Sequence, residues 1–186
     1  MRSTKKDLIE KYARILQSVD KNVFAQLQED DKNAYSGVFL PIPFDAYYTN
    51  SPRIMVVGRE TASWNTKNKK NKITRIINAI DGKGVDTLEN IIGEALTRYQ
   101  KHLDPHAIDV NIKKPSPGRS RFKQFYFRLA KEFHPSPKAL IYANLFAWDY
   151  NGKSPRYRPK QELEEVTRLS CMLLAAQIES PQEFRR

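Results

Sequence analysis

Cysteine is almost absent from this chain, which has Cys171 alone among its 186 residues. A single thiol excludes a disulfide framework within one chain, and it excludes a four-cysteine metal or iron–sulfur site. Such scarcity is typical of a reducing compartment, so we expect an intracellular, cytoplasmic protein. Because Leu169, Met172 and Leu173 surround Cys171 in a helical pattern, we expect a buried structural thiol rather than a nucleophile.

Long apolar runs are missing as well. No stretch of about 18 apolar residues occurs, so the sequence predicts no membrane span. The first residues, MRSTKKDLIEKYARIL, lack the apolar centre of a signal peptide. The chain also has no glycine-rich phosphate loop and no internal repeat. Its length predicts one domain over residues 1–186, in which residues 1–35 form an N-terminal helical segment.

Acidic residues are outnumbered, with 21 aspartates and glutamates against 32 lysines and arginines, for a net charge of +11. This balance favours a polyanionic partner, DNA or alternatively RNA, although a solvated basic surface has the same composition. Basic loops and nearby tyrosines predict a phosphate-contacting face at 67–75, 113–123 and 153–160, with Tyr126, Tyr150 and Tyr157. The candidate nucleic-acid-binding residues are Lys67, Lys69, Lys70, Lys72, Arg119, Arg121, Arg156 and Arg158.

Hydrophobic periodicity predicts helices separated by two strands. The helical patterns cover residues 4–19, 23–27, 73–80, 88–99, 122–133 and 160–178, with Asp86 or Thr87 as the cap of the fourth. Residues 54–57 predict a short buried strand, and 139–148 form the longest β-like run. Residues 36–52 predict an irregular segment. Strands alternating with helices indicate an α/β fold with a parallel central sheet flanked by helices.

Parallel sheets bind ligands beyond the carboxyl ends of their strands. The residues after Val57 and those near the end of 139–148 are therefore the candidate site. Gly58 would let a ligand approach the backbone closely, and Asn144 offers both a donor and an acceptor.

These residues resemble the uracil-DNA glycosylase superfamily. VVGRET, after its strand, is similar to the first motif of that superfamily, and IYANLFAWD is similar to the next central strand, whose asparagine reads the base. Gly58, Glu60, Thr61 and Trp64 match the G-x-E-T-x-x-W pattern of an uncharacterised glycosylase-like subgroup. The resemblance spans residues 38–178.

The resemblance implies a uracil-DNA glycosylase-like fold and a DNA-repair hydrolase that binds DNA and cleaves the N-glycosidic bond of a flipped base. It implies catalytic roles for Glu60, which would position water, and Asn144, which would read the base; no metal or cofactor is required. The implied substrate-binding residues are Gly58, Arg59, Thr61, Trp64 and Phe146. The best-known family has aspartate, proline and tyrosine where Glu60, Thr61 and Ala62 stand, so specificity for uracil is not implied.

Plainer interpretations stay open at this point. Glu60 could pair with Arg59 or cap a helix, Asn144 could satisfy backbone groups, and Trp64 could be a packing residue. A catalytically inactive nucleic-acid-binding protein or a scaffold protein of the same fold would have the same sequence features. His102 and His106 have helical i, i+4 spacing, but Pro105 between them argues against a metal site.

The resemblance also implies a further central strand after the helix at 160–178. Residues 173–186, LLAAQIESPQEFRR, are too polar at their end for a buried parallel strand. We therefore expect a truncated or naturally short member that lacks part of the sheet. An exposed sheet edge would then need cover, for which a second copy of the chain, a homodimer, is the expected partner.

Overall fold

A computed structural model describes residues 4–28, 35–61, 64, 73–103, 121–133 and 136–179. The described residues form the helices α1 Thr4–Gln17, α2 Asp45–Thr49, α3 Ile73–Ile80, α4 Leu88–Leu103, α5 Arg121–Phe133 and α6 Lys160–Glu179, and the strands β1 Ile54–Gly58 and β2 Leu140–Asn144. Three 3-10 helices cover Lys21–Gln28, Pro137–Ala139 and Pro155–Tyr157. None of the described helices has both the length and the hydrophobicity that a membrane span needs.

The two strands pair in parallel, which confirms the predicted mixed α/β character. Their register runs from Ile54 opposite Leu140 to Gly58 opposite Asn144. The last residues of both strands therefore lie side by side at one edge of the sheet. In the described part of the chain the sheet has these two strands.

The strands differ in burial, and the expectation of a buried first strand was wrong. Every residue of β2 is buried, whereas Val56 alone is buried in β1 and Val57 is 42% exposed. Successive side chains of a strand point to opposite faces. Val56 therefore faces the core, while the face that carries Val57 is left partly uncovered by the described residues.

The second strand is shorter than the apolar run that predicted it. The ladder ends at Asn144, and Ala139 belongs to a 3-10 helix. Three residues after Asn144, the Ala147 N–H donates to Ser170 Oγ at 3.0 Å. The Ala147 carbonyl accepts from the Phe39 N–H at 2.8 Å. The backbone at Ala147 therefore bonds to α6 and to the segment before α2 instead of to a neighbouring strand. For this reason the apolar run extends beyond the end of β2.

The remaining predicted elements agree in kind with the structure, with local differences. The helical pattern at 23–27 is a 3-10 helix, and the segment expected to be irregular includes α2. Of the two candidate caps, Thr87 accepts from the Asn90 N–H at 3.2 Å, whereas Asp86 pairs with Arg75. The hydroxyl at 87 is therefore the cap of α4.

Two further expectations about burial were wrong. Cys171 is exposed, because α6 buries Val166, Leu169 and Leu173 on a face that excludes position 171. Tyr126, expected beside a basic surface loop, is buried; its hydroxyl donates to the carbonyls of Pro137 at 2.7 Å and Leu140 at 3.0 Å. Tyr126 therefore links α5 to the start of β2.

Candidate functional site

A cavity of about 620 Å³ lies beyond the carboxyl ends of both strands. Its lining consists of Gly58, Arg59, Glu60, Thr61, Trp64, His102, Phe122, Lys123, Tyr142 and Asn144. The structure thus brings the two candidate catalytic residues, Glu60 and Asn144, to one cavity together with most of the candidate substrate-binding residues. This is the position that parallel sheets favour for ligands.

Phe146 is the candidate substrate-binding residue that does not line this cavity. Its N–H donates to the Arg59 carbonyl at 2.9 Å, and the Leu145 N–H donates to the Gly58 carbonyl at 2.9 Å. The Phe146 side chain packs against the hydrophobic core. Phe146 therefore extends the pairing between the two chain segments beyond the strands.

Gly58 leaves room for the amide of Asn144. A Cβ atom at position 58 would lie 2.5 Å from Asn144 Oδ1 and 3.3 Å from the Phe122 ring. Because the two residues are paired in register, neither backbone can move away without disturbing the ladder. A Cβ at position 58 would therefore displace the Asn144 amide, so the close approach, rather than an unusual backbone conformation, favours glycine here.

The Asn144 side chain has an unused hydrogen-bond acceptor. It is 5% exposed, and its Nδ2 donates to the Tyr142 hydroxyl over 3.4 Å, a long bond. Its Oδ1 has no hydrogen-bond partner within the described part of the chain. A buried acceptor without a partner costs about 1–3 kcal/mol, so a ligand that donates a hydrogen bond would relieve that cost. The interpretation that this amide satisfies backbone groups finds no support among the described residues.

Glu60 is paired with its neighbour. Arg59 donates from Nε to Oε2 at 2.5 Å and from a terminal nitrogen to Oε1 at 2.7 Å. The hydrogen bonds from Arg59 to Glu60, followed by their charge attraction, raise the pKa of the Arg59 guanidinium. Each carboxylate oxygen accepts more than one hydrogen bond. Glu60 can therefore still bind a water molecule, although the pairing with Arg59 uses part of its capacity.

Asp149 holds the loop after β1 in place. This carboxylate is fully buried and accepts from Thr61 Oγ1 at 2.6 Å, from the Trp64 N–H at 3.1 Å and from the Gly152 N–H at 2.8 Å. The Thr61 hydroxyl proton is thus directed at Asp149. A ligand can meet only the oxygen lone pairs and the methyl group of Thr61.

Sequence reasoning missed this role of Asp149. The signal was present, because Asp149 is followed by the Tyr-Asn-Gly sequence of a turn. Asn151 and Gly152 both have positive φ, at 50° and 74°. An aspartate that accepts from the N–H of a residue further along the turn is a common way to fix such a turn. Its contacts with Thr61 and Trp64, however, depend on tertiary structure.

Aromatic rings form much of the cavity wall. Trp64 meets the His102 ring edge to face at 5.3 Å between centroids, and Phe122 lies against Tyr142 at 4.5 Å. Trp64 also packs on Phe39 at 4.7 Å, so it is both a packing residue and a wall of the cavity. The buried Trp64 Nε1 has no hydrogen-bond partner within the described ranges. A flat ligand would find ring faces and edges on several sides.

His102 and Lys123 complete the wall. The sequence placed Lys123 in the basic loop 113–123 and His102 in a rejected metal pair, but it assigned neither residue to this site. Burial, followed by the charges of Lys123 and Arg98, lowers the pKa of His102 to about 3. Burial and the charge of Arg98 also lower the pKa of Lys123. His102 is therefore a neutral imidazole at physiological pH, able to donate from one nitrogen and to accept at the other.

Metal binding finds no support in the described ranges. They contain no group of three or more histidine, cysteine, aspartate or glutamate side chains that could hold an ion. His106, considered with His102 as a metal ligand, lies outside the described residues. The cavity instead combines aromatic rings, one amide and both signs of charge.

The candidate nucleic-acid-binding residues are spread over the chain. Those outside the described residues are Lys67, Lys69, Lys70, Lys72 and Arg119. Arg121 and Arg156 are exposed. Arg158 is committed to the protein itself, because it donates to both carboxylate oxygens of Glu162 at 3.0 Å and lies 3.9 Å from the centroid of the Tyr150 ring.

Comparisons with known proteins give no relative from which a function could be inferred. No protein-family model, no curated protein and no solved structure matches this chain. The resemblance to uracil-DNA glycosylases therefore stays a prediction from the sequence.

Proposed function

We propose that this protein binds a nucleobase flipped out of DNA and hydrolyses its N-glycosidic bond, as a glycosylase with a uracil-DNA glycosylase-like fold. The observation that carries the proposal is the buried Oδ1 of Asn144, which lies in the wall of an aromatic cavity and has no hydrogen-bond partner among the described residues. A base whose pairing edge presents an N–H donor would fill this need.

The dimensions and walls of the cavity suit such a ligand. Its volume of about 620 Å³ lies in the usual range for small-molecule sites. Stacking of a base on aromatic side chains contributes roughly 1–3 kcal/mol per base. Trp64, Phe122 and Tyr142 provide these rings, and the neutral His102 adds hydrogen-bonding groups without a charge.

Glu60 is the residue that we propose to act on water. Its carboxylate would accept a proton from a water molecule whose oxygen attacks C1′ of the sugar. The bond between C1′ and the base nitrogen breaks, and the base leaves with the electron pair and then takes up a proton. The negative charge of Glu60 would also stabilise the cationic sugar in the transition state. Arg59 would hold the carboxylate in position.

A catalytically inactive base-binding protein of the same fold is the second candidate. The pairing of both Glu60 oxygens with Arg59 favours it, because these hydrogen bonds occupy part of the carboxylate that would otherwise orient a water molecule. Binding would then depend on Asn144 and the aromatic wall alone.

A base-release assay on oligonucleotides with different modified bases separates the two candidates. We expect the parent protein to release at least one base, Glu60→Gln to abolish release while retaining DNA binding, and Asn144→Ala to weaken both. Glu164→Gln, on the exposed surface of α6, is the matched control and should behave as the parent. Release by Glu60→Gln at the parent rate would overturn the assignment of Glu60. Base-dependent binding without release by the parent would support the second candidate.

A further inference from the structure

Tyr157 is the most exposed aromatic side chain of the described residues. Its side chain is 75% exposed, although it lies within a 3-10 helix, Pro155–Tyr157, rather than in an extended loop. An ordered turn thus presents an aromatic ring to solvent, where a ligand can stack on it.

Arg156 and Tyr157 form one exposed pair of side chains, which we name the Arg–Tyr plate. The Arg156 guanidinium lies over the Tyr157 ring, 4.4 Å from its centroid. A terminal nitrogen of Arg156 also donates to the Tyr157 hydroxyl. Both groups are planar, and attraction between the guanidinium and the ring face holds a positive charge beside the ring.

The turn beneath the plate is fixed by several contacts. Ser154 caps it by accepting from the Arg156 N–H, and Pro155 is buried. The Arg158 N–H donates to the Pro155 carbonyl at 2.9 Å. The Arg158 side chain is in turn tied to Glu162 and Tyr150. Because the turn is already ordered, ligand binding to the plate would lose little conformational entropy.

The turn that precedes the plate is tied to the cavity wall. Asp149 accepts from the Gly152 N–H on one side and from Thr61 and Trp64, which line the cavity, on the other. The 3-10 helix that carries the plate begins at Pro155, three residues after Gly152. A strand of nucleic acid with one base in the cavity would therefore have a neighbouring nucleotide near the plate.

We propose that the Arg–Tyr plate is a second binding site, which stacks on an unpaired nucleobase next to the base held in the cavity. This site deepens the proposed function and rests on it. Extrusion of one base removes a stacking partner from its neighbours, and an exposed ring can replace that partner whatever the base sequence. Arg156 would add attraction to the adjacent phosphate.

The test measures binding of single-stranded oligonucleotides to the whole chain, with 2-aminopurine beside the target base as a fluorescent reporter. We expect Tyr157→Ala to weaken binding about 5- to 100-fold and to abolish quenching of the reporter. Tyr157→Phe, which keeps the ring, should bind within about twofold of the parent. Phe133→Ala removes another exposed ring and is the matched control, for which no change is expected.

The outcomes separate this proposal from the function on which it rests. If Tyr157→Ala binds and quenches as the parent does, or if the parent binds no oligonucleotide, the plate is not a nucleobase site. Free base binding to the cavity should depend on Asn144 and be unchanged by Tyr157→Ala. If free base does not bind, but oligonucleotide binding still depends on the ring at 157, the cavity function fails and the stacking site stands.

Discussion

The loops that follow the two strands have different roles at the cavity. The loop after β1 carries Arg59 and Glu60, a pair at the cavity whose arginine side chain is 61% exposed. The loop after β2 carries Asp149, which is fully buried and binds three donors. The first loop presents charged groups to a ligand, and the second loop fixes the first. A carboxylate close to a cavity is thus not by itself evidence of chemistry, because its partners decide its role.

Asp149→Ala is expected to have the largest effect on stability. It tests whether the loop after β2 fixes the loop after β1. The substitution removes the acceptor of the buried Thr61 hydroxyl, of the buried Trp64 N–H and of the partly buried Gly152 N–H. An unsatisfied buried donor costs about 1–3 kcal/mol, so we expect a loss of about 3–5 kcal/mol in the free energy of unfolding. Urea denaturation measures this loss.

Asp149→Asn is the matched variant, since it keeps one acceptor oxygen and the shape of the side chain. It should lose less stability than Asp149→Ala. If Asp149→Ala unfolds with the same free energy as the parent, the loop after β2 does not hold the loop after β1.

Gly58→Ala should have the next largest effect, at the point where the two strands end. The added Cβ would lie 2.5 Å from Asn144 Oδ1, so the amide must move. We expect a loss of about 1–3 kcal/mol in stability, the usual cost of overpacking, together with weaker binding of any ligand that depends on Asn144. Gly93→Ala is the control, because nothing lies within 4 Å of its added Cβ. Gly93→Ala, in α4, should slightly stabilise the protein. Equal stability changes for the two variants would contradict the close contact.

Gly58 and Asn144 also show how far the sequence predicts the site. Gly58 and Asn144 end parallel strands, and the rule that ligands bind beyond such ends brings them together without a structure. His102 and Lys123 belong to the last turn of α4 and the first turn of α5. Periodicity predicts these helices but not how they pack against the sheet. The contact of Asp149 with Thr61 likewise joins residues that are distant in sequence, so no local pattern could predict it.

His102 lines the cavity from α4 rather than from either loop, and the pH dependence of stability tests its state. Burial and neighbouring charges lower the pKa of His102 to about 3, below its ordinary value of 6.5. The unfolded state therefore binds more protons between these values, and the stability that neutral His102 provides is complete above about pH 6.5 and is lost as the pH falls toward 3. The loss should reach at most about 1.4 kcal/mol per pH unit, or about 1–2 kcal/mol between pH 6.5 and 5.

His102→Asn is the reference for this measurement, because asparagine does not titrate in the range. Urea denaturation of the parent and of this variant at several pH values gives the difference. Parallel losses for both proteins would show that His102 is not kept neutral by the cavity.

Glu60→Gln should have the smallest effect on stability, which would distinguish the role of Glu60 in the first loop from that of Asp149 in the second. The carboxylate pairs with an arginine that is largely exposed, and water and salt screen such pairs. We expect the loss of unfolding free energy to be less than about a fifth of that caused by Asp149→Ala. In the base-release assay, by contrast, Glu60→Gln should remove activity from a protein that is still folded. If Glu60→Gln were as unstable as Asp149→Ala, Glu60 would belong to the scaffold as well. A loss of base release would then report a disturbed loop, and the assignment of chemistry to Glu60 would have to be withdrawn.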